Sequence, residues 1–351
     1  MKKILSLILY ATMMVGNSFA QSHLVATLDH EGTVSVFTGA DAFINAHEAA
    51  VDGDIITLSS GAFNSKMTIT KAILLFGAGM QPYESSSRLI DSINIAIPLT
   101  TPKKLYIEGI RFGYTTTEDL NKAMFKKCTF EENFNYFGNK QGSDFVGCRF
   151  DESFINKAGL AILSNCAVDC LYNVKNDTTS YVCTNSYLYL DAPEMDDDDY
   201  SQQPYNVYHS VFTNCIIGAE NQDYLGWGGE YIYQFKFDDS ISLFSCLINI
   251  SGYQFARGPM IDITIDRSSL TYFSDFSKIF KTFKNDFNNH NETFELTDEA
   301  KTTYLGNDGT EVGLYGGAMP YNPTPSVPKI KEFRMDAKPS EGILKADVEV
   351  E

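Results

Sequence analysis

Six charged side chains in the last third of the chain could do chemistry together. Arg257, Asp262, Asp266 and Arg267 follow one another closely, and Asp238 and Asp239 stand about one repeat earlier. An arginine beside carboxylates depresses their pKa and suits a site for a sugar acid. Ion pairs flanking a strand would read the same way. Asp196, Asp197, Asp198 and Asp199 form a second group, four consecutive carboxylates that could hold Ca²⁺ through oxygen ligands. They lack the glycine-punctuated alternation of a calcium loop, and a solvated acidic loop is the other reading. The single tryptophan, Trp227, sits between glycines and could stack on a sugar ring or wedge beneath its own loop. His209 has no chemical partner in sequence and reads as the edge of a structural coil. No CxxC or Cys/His grouping suggests a bound metal.

The cysteines carry the organisation. A short phrase recurs as Ile-Glu-Gly-Ile-Arg-Phe at 107–112, Phe-Lys-Lys-Cys-Thr-Phe at 125–130, Phe-Val-Gly-Cys-Arg-Phe at 145–150 and Leu-Ser-Asn-Cys-Ala-Val at 163–168. Further copies start at Cys183, Phe212 and Leu243. Aligned on the small central residue, the positions are Gly109, Cys128, Cys148, Cys166, Ser186, Cys215 and Cys246, with gaps of 19, 20, 18, 20, 29 and 31. A period of about twenty residues built from one short strand is the signature of a solenoid. The fourth and sixth positions of the phrase are apolar or small, the period-2 spacing of a strand with one face inward. Stacked copies put Cys on Cys and Phe on Phe, so the stack itself is the core. Asn before the Cys suits a tight bend, because it tolerates left-handed backbone.

Bulk composition agrees. The 351 residues are 44% hydrophobic and 13% aromatic, with 25 Phe and 20 Tyr against one Trp, which suits a strand-rich fold with a large core. The net charge of −18 argues against nucleic acid and anionic membrane as partners, since both need a basic footprint. Residues 1–20 read as a cleavable export signal: Lys2 and Lys3, an apolar run over 4–15, then Ser18-Phe19-Ala20. The run is too short to span a bilayer, and no transmembrane segment is expected in the mature chain. Export places the protein in the periplasm, on the cell surface or outside. The seven cysteines leave at least one free. Ladder neighbours about 4.8 Å apart are within bridging range, but parallel side chains suit a column of buried thiols better than disulfides. Cys170 and Cys183 lie off the main register and are the one pair to watch.

Along the chain, 40–50 reads as an amphipathic helix with Phe43, Ala46 and Ala50 on one face, stopped by Asp52-Gly53-Asp54. Strands are expected at 55–58, 61–63, 67–70 and 73–76, closing at Gly77-Ala78-Gly79, then at 88–97, 104–107 and 259–266. Gly77-x-Gly79 lacks the third glycine and the strand–loop–helix order of a nucleotide site. Residues 274–287 read as helical or irregular, with a packing stripe at Phe276, Phe280, Phe283 and Phe287. Pro320, Pro323, Pro325 and Pro328 make 319–329 a stiff linker, and Pro339-Ser340-Glu341-Gly342 signals a hairpin over 330–351. Such a hairpin is too small to stand alone and is expected to pack on the end or side of the solenoid.

The opening "GDIITLSSGAF…ITKAILLFGAG" behind its helix, and the closing "GNDGTEVGLYGG", are similar to bacterial exported right-handed parallel β-helix proteins of the pectin-lyase-like superfamily. The resemblance covers roughly 35–320. It implies a helix that plugs the first coil and a closing run that finishes the last ones. The expected fold is therefore all-β: a right-handed parallel β-helix (β-solenoid) over 21–318, with an N-terminal capping helix and a C-terminal β-hairpin. About twelve coils would fit residues 51–318, a rod of roughly 55–60 Å at strand spacing. The superfamily includes pectate lyases, which pair Ca²⁺-binding acids with a basic residue, and polygalacturonases. The Trp-Ile-Asp-His run of the former is absent, and of the latter's motifs only Asp238-Asp239 has a counterpart. Fold alone licenses no reaction. The expected function is an exported non-catalytic module, binding or structural, with possible contact to polysaccharide or other envelope components. The alternative is a polysaccharide lyase or glycoside hydrolase with a divergent site.

Overall fold

Period-2 alternation builds short strands, and each strand finds its partner about one repeat away. The computed structural model describes residues 24–81, 85–118, 120–174, 178–190, 206–220, 236–237, 241–251, 270–272, 276–283, 292–326, 330–335 and 346–350. It is all-β, with two large, mostly parallel sheets and few helices.

The first sheet has eleven strands. Nine are parallel and stack in chain order: Ile55–Leu58, Leu74–Phe76, Leu105–Glu108, Ala123–Lys126, Ser143–Val146, Leu160–Ser164, Ser180–Thr184, Val211–Thr213 and Ser242–Phe244. Their register aligns one inward column: Ile56, Leu75, Ile107, Phe125, Phe145, Leu163, Cys183, Phe212 and Leu243. The second sheet takes up the chain after each of these strands. Its inward column runs Phe63, Leu89, Phe112, Phe130, Phe150, Val168, Leu188, Ile217 and Ile248. Every member of both columns is buried. Rings one repeat apart lie flat on each other: Phe125 on Phe145 at 5.0 Å, Phe112 on Phe130 at 5.1 Å and Phe130 on Phe150 at 4.7 Å.

Between the two strands of a repeat the chain bends through one left-handed residue. These are Gly109, Lys127, Gly147, Asn165, Asn185, Asn214 and Ser245, with φ between 48° and 72°. The bend N–H reaches the next repeat: Lys127 donates to the Val146 carbonyl at 2.8 Å and Asn165 to Thr184 at 3.0 Å. The following residue turns inward, and here the sequence alignment is one residue out at its first copy. Glu108 pairs with Lys126 and Arg111 with Thr129, so Ile110, not Gly109, shares the slot of Cys128. Gly109 belongs to the bend. At this copy the inward slot takes the larger Ile110 where later copies have Cys or Ser.

All seven cysteines are buried and none is in a disulfide, Cys170 and Cys183 included. Cys183 has a register after all, in the first inward column between Leu163 and Phe212. The column thiols donate to carbonyls at their bends, as Cys166 Sγ does to Phe145 at 3.3 Å and to Ser164 at 3.4 Å. Ser186 repeats the arrangement with oxygen, its hydroxyl donating to the Thr184 carbonyl at 2.9 Å. Burial pushes the Cys128, Cys148, Cys183 and Cys215 thiols well up, so they pack as small hydrophobes.

The N-terminal end is closed by helix α1 (Ala42–Ala49), whose Phe43 and Ala46, followed by Ala50, join the core. Before it, Val25–His30 and Thr33–Thr38 form a hairpin that pairs antiparallel with Ile55–Leu58. Lys71 donates to the carbonyls of His47 and Glu48, satisfying the last turn of α1.

After the last described strand of the second sheet, Leu270–Tyr272, the described residues of 276–326 add no strand to either ladder. They hold two short helices, α2 (Phe276–Ile279) and α3 (Asp298–Thr303), with turns, bends and isolated bridges among the other described residues. This segment doubles back along the outside of the stack, where the closing Gly-rich run had been expected to finish the last coils. The hairpin is present as Ile330–Met335 antiparallel to Ala346–Val350.

Candidate functional site

Two outer surfaces of the stack carry polar chemistry, and the first is taken by the chain's own tail. On the second sheet, outward positions at the fifth place of the phrase begin polar, with Arg111, Thr129 and Arg149. They then turn apolar, with Ala167, Tyr187, Ile216 and Leu247. Those four are buried although they face out, because Ile279, Phe280, Phe294, Leu296, Val312 and Leu314 cover them. Tyr187 stacks on Phe294 at 4.3 Å and meets Phe280 edge-on at 5.5 Å. The expected phenylalanine stripe is real over Phe276, Phe280 and Phe283, which stack on one another. Phe287 lies outside the described residues.

The bend asparagines hold the tail. Asn165 Nδ2 donates to the carbonyls of Leu314 at 2.7 Å and Gly316 at 2.8 Å. Asn214 Oδ1 accepts from the Asn307 N–H at 3.0 Å, and its carbonyl accepts from Gly313 at 2.8 Å. Gly313 has φ 80°, and a Cβ there would lie 2.5 Å from Ile216 Cδ1, so the Gly-rich run is shaped to this seat. Further along, Arg149 donates to Asp151 Oδ1 at 2.5 Å and to the Glu292 carbonyl at 3.1 Å.

The proline-rich stretch is not a free linker through residue 326. Lys126 Nζ donates to Ser326 Oγ at 2.9 Å, Lys127 Nζ to the Thr324 carbonyl, and the Ser326 N–H to Glu108 Oε1 at 2.7 Å. Burial alone would push the Glu108 carboxyl up. Hydrogen bonds from Tyr106 and Ser326, with the Lys126 ammonium nearby, hold it below its ordinary value.

The second surface is the outer face of the first sheet. Two outward rows run along it. In the half nearer the C-terminal end they read Ile162, Val182, Val211 and Ser242 in one row, and Ser164, Thr184, Thr213 and Phe244 in the other. All but Phe244 are half-buried, and Phe244 is exposed. Ser164 Oγ and Thr184 Oγ1 are 3.1 Å apart. This face is a ladder of hydroxyls beside a ladder of aliphatic side chains. It carries no charge in a protein of net charge −18. In the other half the rows hold Leu74, Phe76, Tyr106, Met124, Val146 and charged neighbours such as Lys126 and Glu108.

Of the residues singled out by sequence, Arg257, Asp262, Asp266, Arg267, Asp238, Asp239, Trp227 and the run Asp196, Asp197, Asp198, Asp199 all lie outside the described residues. His209 is exposed at a left-handed turn, as a coil-edge residue should be. Among the described residues no cluster of His, Cys, Asp or Glu could hold a metal ion, and no helix is long and apolar enough to cross a membrane. The described arginines of the second sheet are engaged with carboxylates: Glu131 accepts from Arg88 Nε at 2.6 Å and from Arg111. Sequence reasoning missed the tail seat and the hydroxyl ladder. The polar-to-apolar switch at the fifth place of the phrase was the available signal for the first. For the second, it was the recurrence of Ser or Thr two residues after an aliphatic outward position. Comparison with known protein families, with curated proteins and with solved structures finds no match to this chain.

Proposed function

We propose that this chain is an exported right-handed parallel β-helix of the pectin-lyase-like kind that binds a linear polysaccharide rather than cutting it. The observation that carries this reading is the uncharged ladder Ile162/Ser164, Val182/Thr184, Val211/Thr213 on a flat parallel sheet. Successive rungs repeat about every 4.8 Å. Such a surface offers a repeating polymer the same pair of contacts at each step, a hydroxyl to exchange hydrogen bonds and an aliphatic side chain to lie under a sugar face. Recognition of this kind spreads a small free energy over several rungs. The buried carboxylates Glu108 and Asp151 are committed to partners within the fold, which leaves them structural. The export signal over 1–20 puts the chain where such polymers are found.

The test is incubation of the mature chain with acidic and neutral polysaccharides, with and without Ca²⁺, followed by native electrophoresis and assay for new reducing or unsaturated ends. Retardation without new ends is expected, and Thr184→Lys together with Thr213→Lys should abolish it. Product formation that survives those substitutions and is lost in Arg257→Ala or Asp262→Ala would replace this reading with a divergent lyase or hydrolase.

A further inference from the structure

The half of the first sheet's outer face nearer the N-terminal end sets five apolar side chains among Glu108, Lys126 and Asp144, and the chain's own end is tethered there. Leu74, Phe76, Tyr106, Met124 and Val146 are outward neighbours on four successive strands, and the rings of Phe76 and Tyr106 lie 5.6 Å apart. Ser326 is seated on Glu108, in the middle of this face, and Pro325 lies against Gly109. The hairpin begins at Ile330, four residues on. Four residues of extended chain reach about 14 Å at most. The start of the hairpin is therefore confined to the part of the molecule around Leu105–Glu108, out of reach of the C-terminal end of the stack.

The hairpin needs such a surface. Two strands alone are marginal in water. By the register of Phe333 with Val348 and Met335 with Ala346, positions 333, 335, 346 and 348 share one face, and all four are apolar. Positions 332, 334, 347 and 349 share the other face, as Glu, Arg, Asp and Glu. Charge favours the same placement. Residues 330–351 carry four basic and six acidic side chains. The receiving half of the sheet is bordered by Lys104, Lys122, Lys126 and Lys127, of which Lys104 pairs with Asp144 and Lys126 lies 3.7 Å from Glu108, which leaves Lys122 and Lys127 to meet the hairpin's acids.

We propose that the C-terminal hairpin closes over this half of the face, with positions 333, 335, 346 and 348 against Leu74, Phe76, Tyr106, Met124 and Val146. The hairpin is the last section of one long clasp that starts at α2, follows the asparagine bends and ends on the sheet. It leaves the hydroxyl half, Ser164 to Thr213, open to a partner.

Mild peroxide oxidation of the mature chain, read by mass spectrometry at Met124, tests this. The comparison is between wild type, Phe333→Asp with Val348→Asp, and a chain ending at Ser326. The expected result is Met124 oxidation at least fivefold faster in both variants, with the circular dichroism of the ladders unchanged. Hydroxyl-radical labelling should rise at Tyr106 and Phe76 in the same samples and stay constant at Val182 and Val211. Equal Met124 rates in all three proteins would overturn the proposal. So would protection in the chain ending at Ser326 that disappears on dilution, which would assign the face to a second copy.

Discussion

At the scale of single residues, two slots of the repeat do different work. The left-handed bend takes Asn, Gly, Lys or Ser, and the next slot takes a thiol in five of seven copies, with Ile110 and Ser186 in the others. The thiols were legible as a buried column because they recur with the strand period. Their lack of bridges follows from geometry, since side chains on parallel rungs point alongside one another. All seven are buried, and burial raises the pKa values of Cys128, Cys148, Cys183 and Cys215, so the thiols should be inert in the native state. We expect Ellman's reagent to titrate seven thiols after denaturation and fewer than two in the native protein, with no change in melting temperature on adding a reductant. A melting temperature that falls on reduction would show bridges the fold does not need. Asn165 separates the two roles of the bend. Asn165→Gly keeps the left-handed backbone and loses both bonds to the tail, at a cost of about 1–2 kcal/mol. Asn165→Ala loses the backbone preference as well and should cost about 1 kcal/mol more. Urea unfolding of the two variants checks the order.

At the scale of elements, the cap and the clasp respond oppositely to sequence reading. Helix α1 announced itself through Phe43, Ala46 and Ala50 and appears where expected. The clasp announced itself only through the stripe at Phe276, Phe280 and Phe283; its seat on Asn165, Asn214 and Gly313 is made by single amides, carbonyls and glycines, which leave no periodic trace. Only the outward change from Arg111, Thr129 and Arg149 to Ala167, Tyr187, Ile216 and Leu247 marks where the outside becomes inside. The cap also carries the pH dependence. His47 is buried in α1, and its Nε2 accepts from the Thr70 N–H at 3.3 Å. Burial, helped by Lys71, lowers its pKa to about 4. The unfolded chain therefore binds a proton near pH 6.5 that the folded chain refuses until about pH 4. Stability falls as pH drops through that window, by about 2 kcal/mol between pH 7 and pH 5. His47→Gln, which keeps an acceptor and cannot titrate, should flatten the dependence in urea titrations. The exposed His30 works the other way. Its hydrogen bond to Asp54 raises its pKa, so its contribution is complete below about 6.5 and fades as pH rises past the raised value. The clasp has its own limit. The lowered Glu108 pKa means that Ser326 stays seated at neutral pH and loosens only as pH falls below the ordinary carboxylate range.

At the scale of the whole molecule, the chain is a stack whose inside is read from sequence and whose outside is partly covered by its own end. Among the described residues nine parallel strands stack in the first sheet, and the described part of 276–326 lies against the stack instead of lengthening it; the strand expected at 259–266 lies outside the described residues. The candidate binding face was not legible, since hydroxyls at outward positions look like any solvated strand until the register aligns them. All of this depends on rungs one repeat apart lying directly on each other. The most direct measurement is a double-mutant cycle on Phe125 and Phe145, 20 residues apart in sequence and stacked at 5.0 Å. Each single change to Ala should cost about 3–5 kcal/mol, and the double mutant should cost at least about 1 kcal/mol less than their sum. Additivity within about 0.5 kcal/mol would mean that the two rings do not touch, and the stacked register would be wrong.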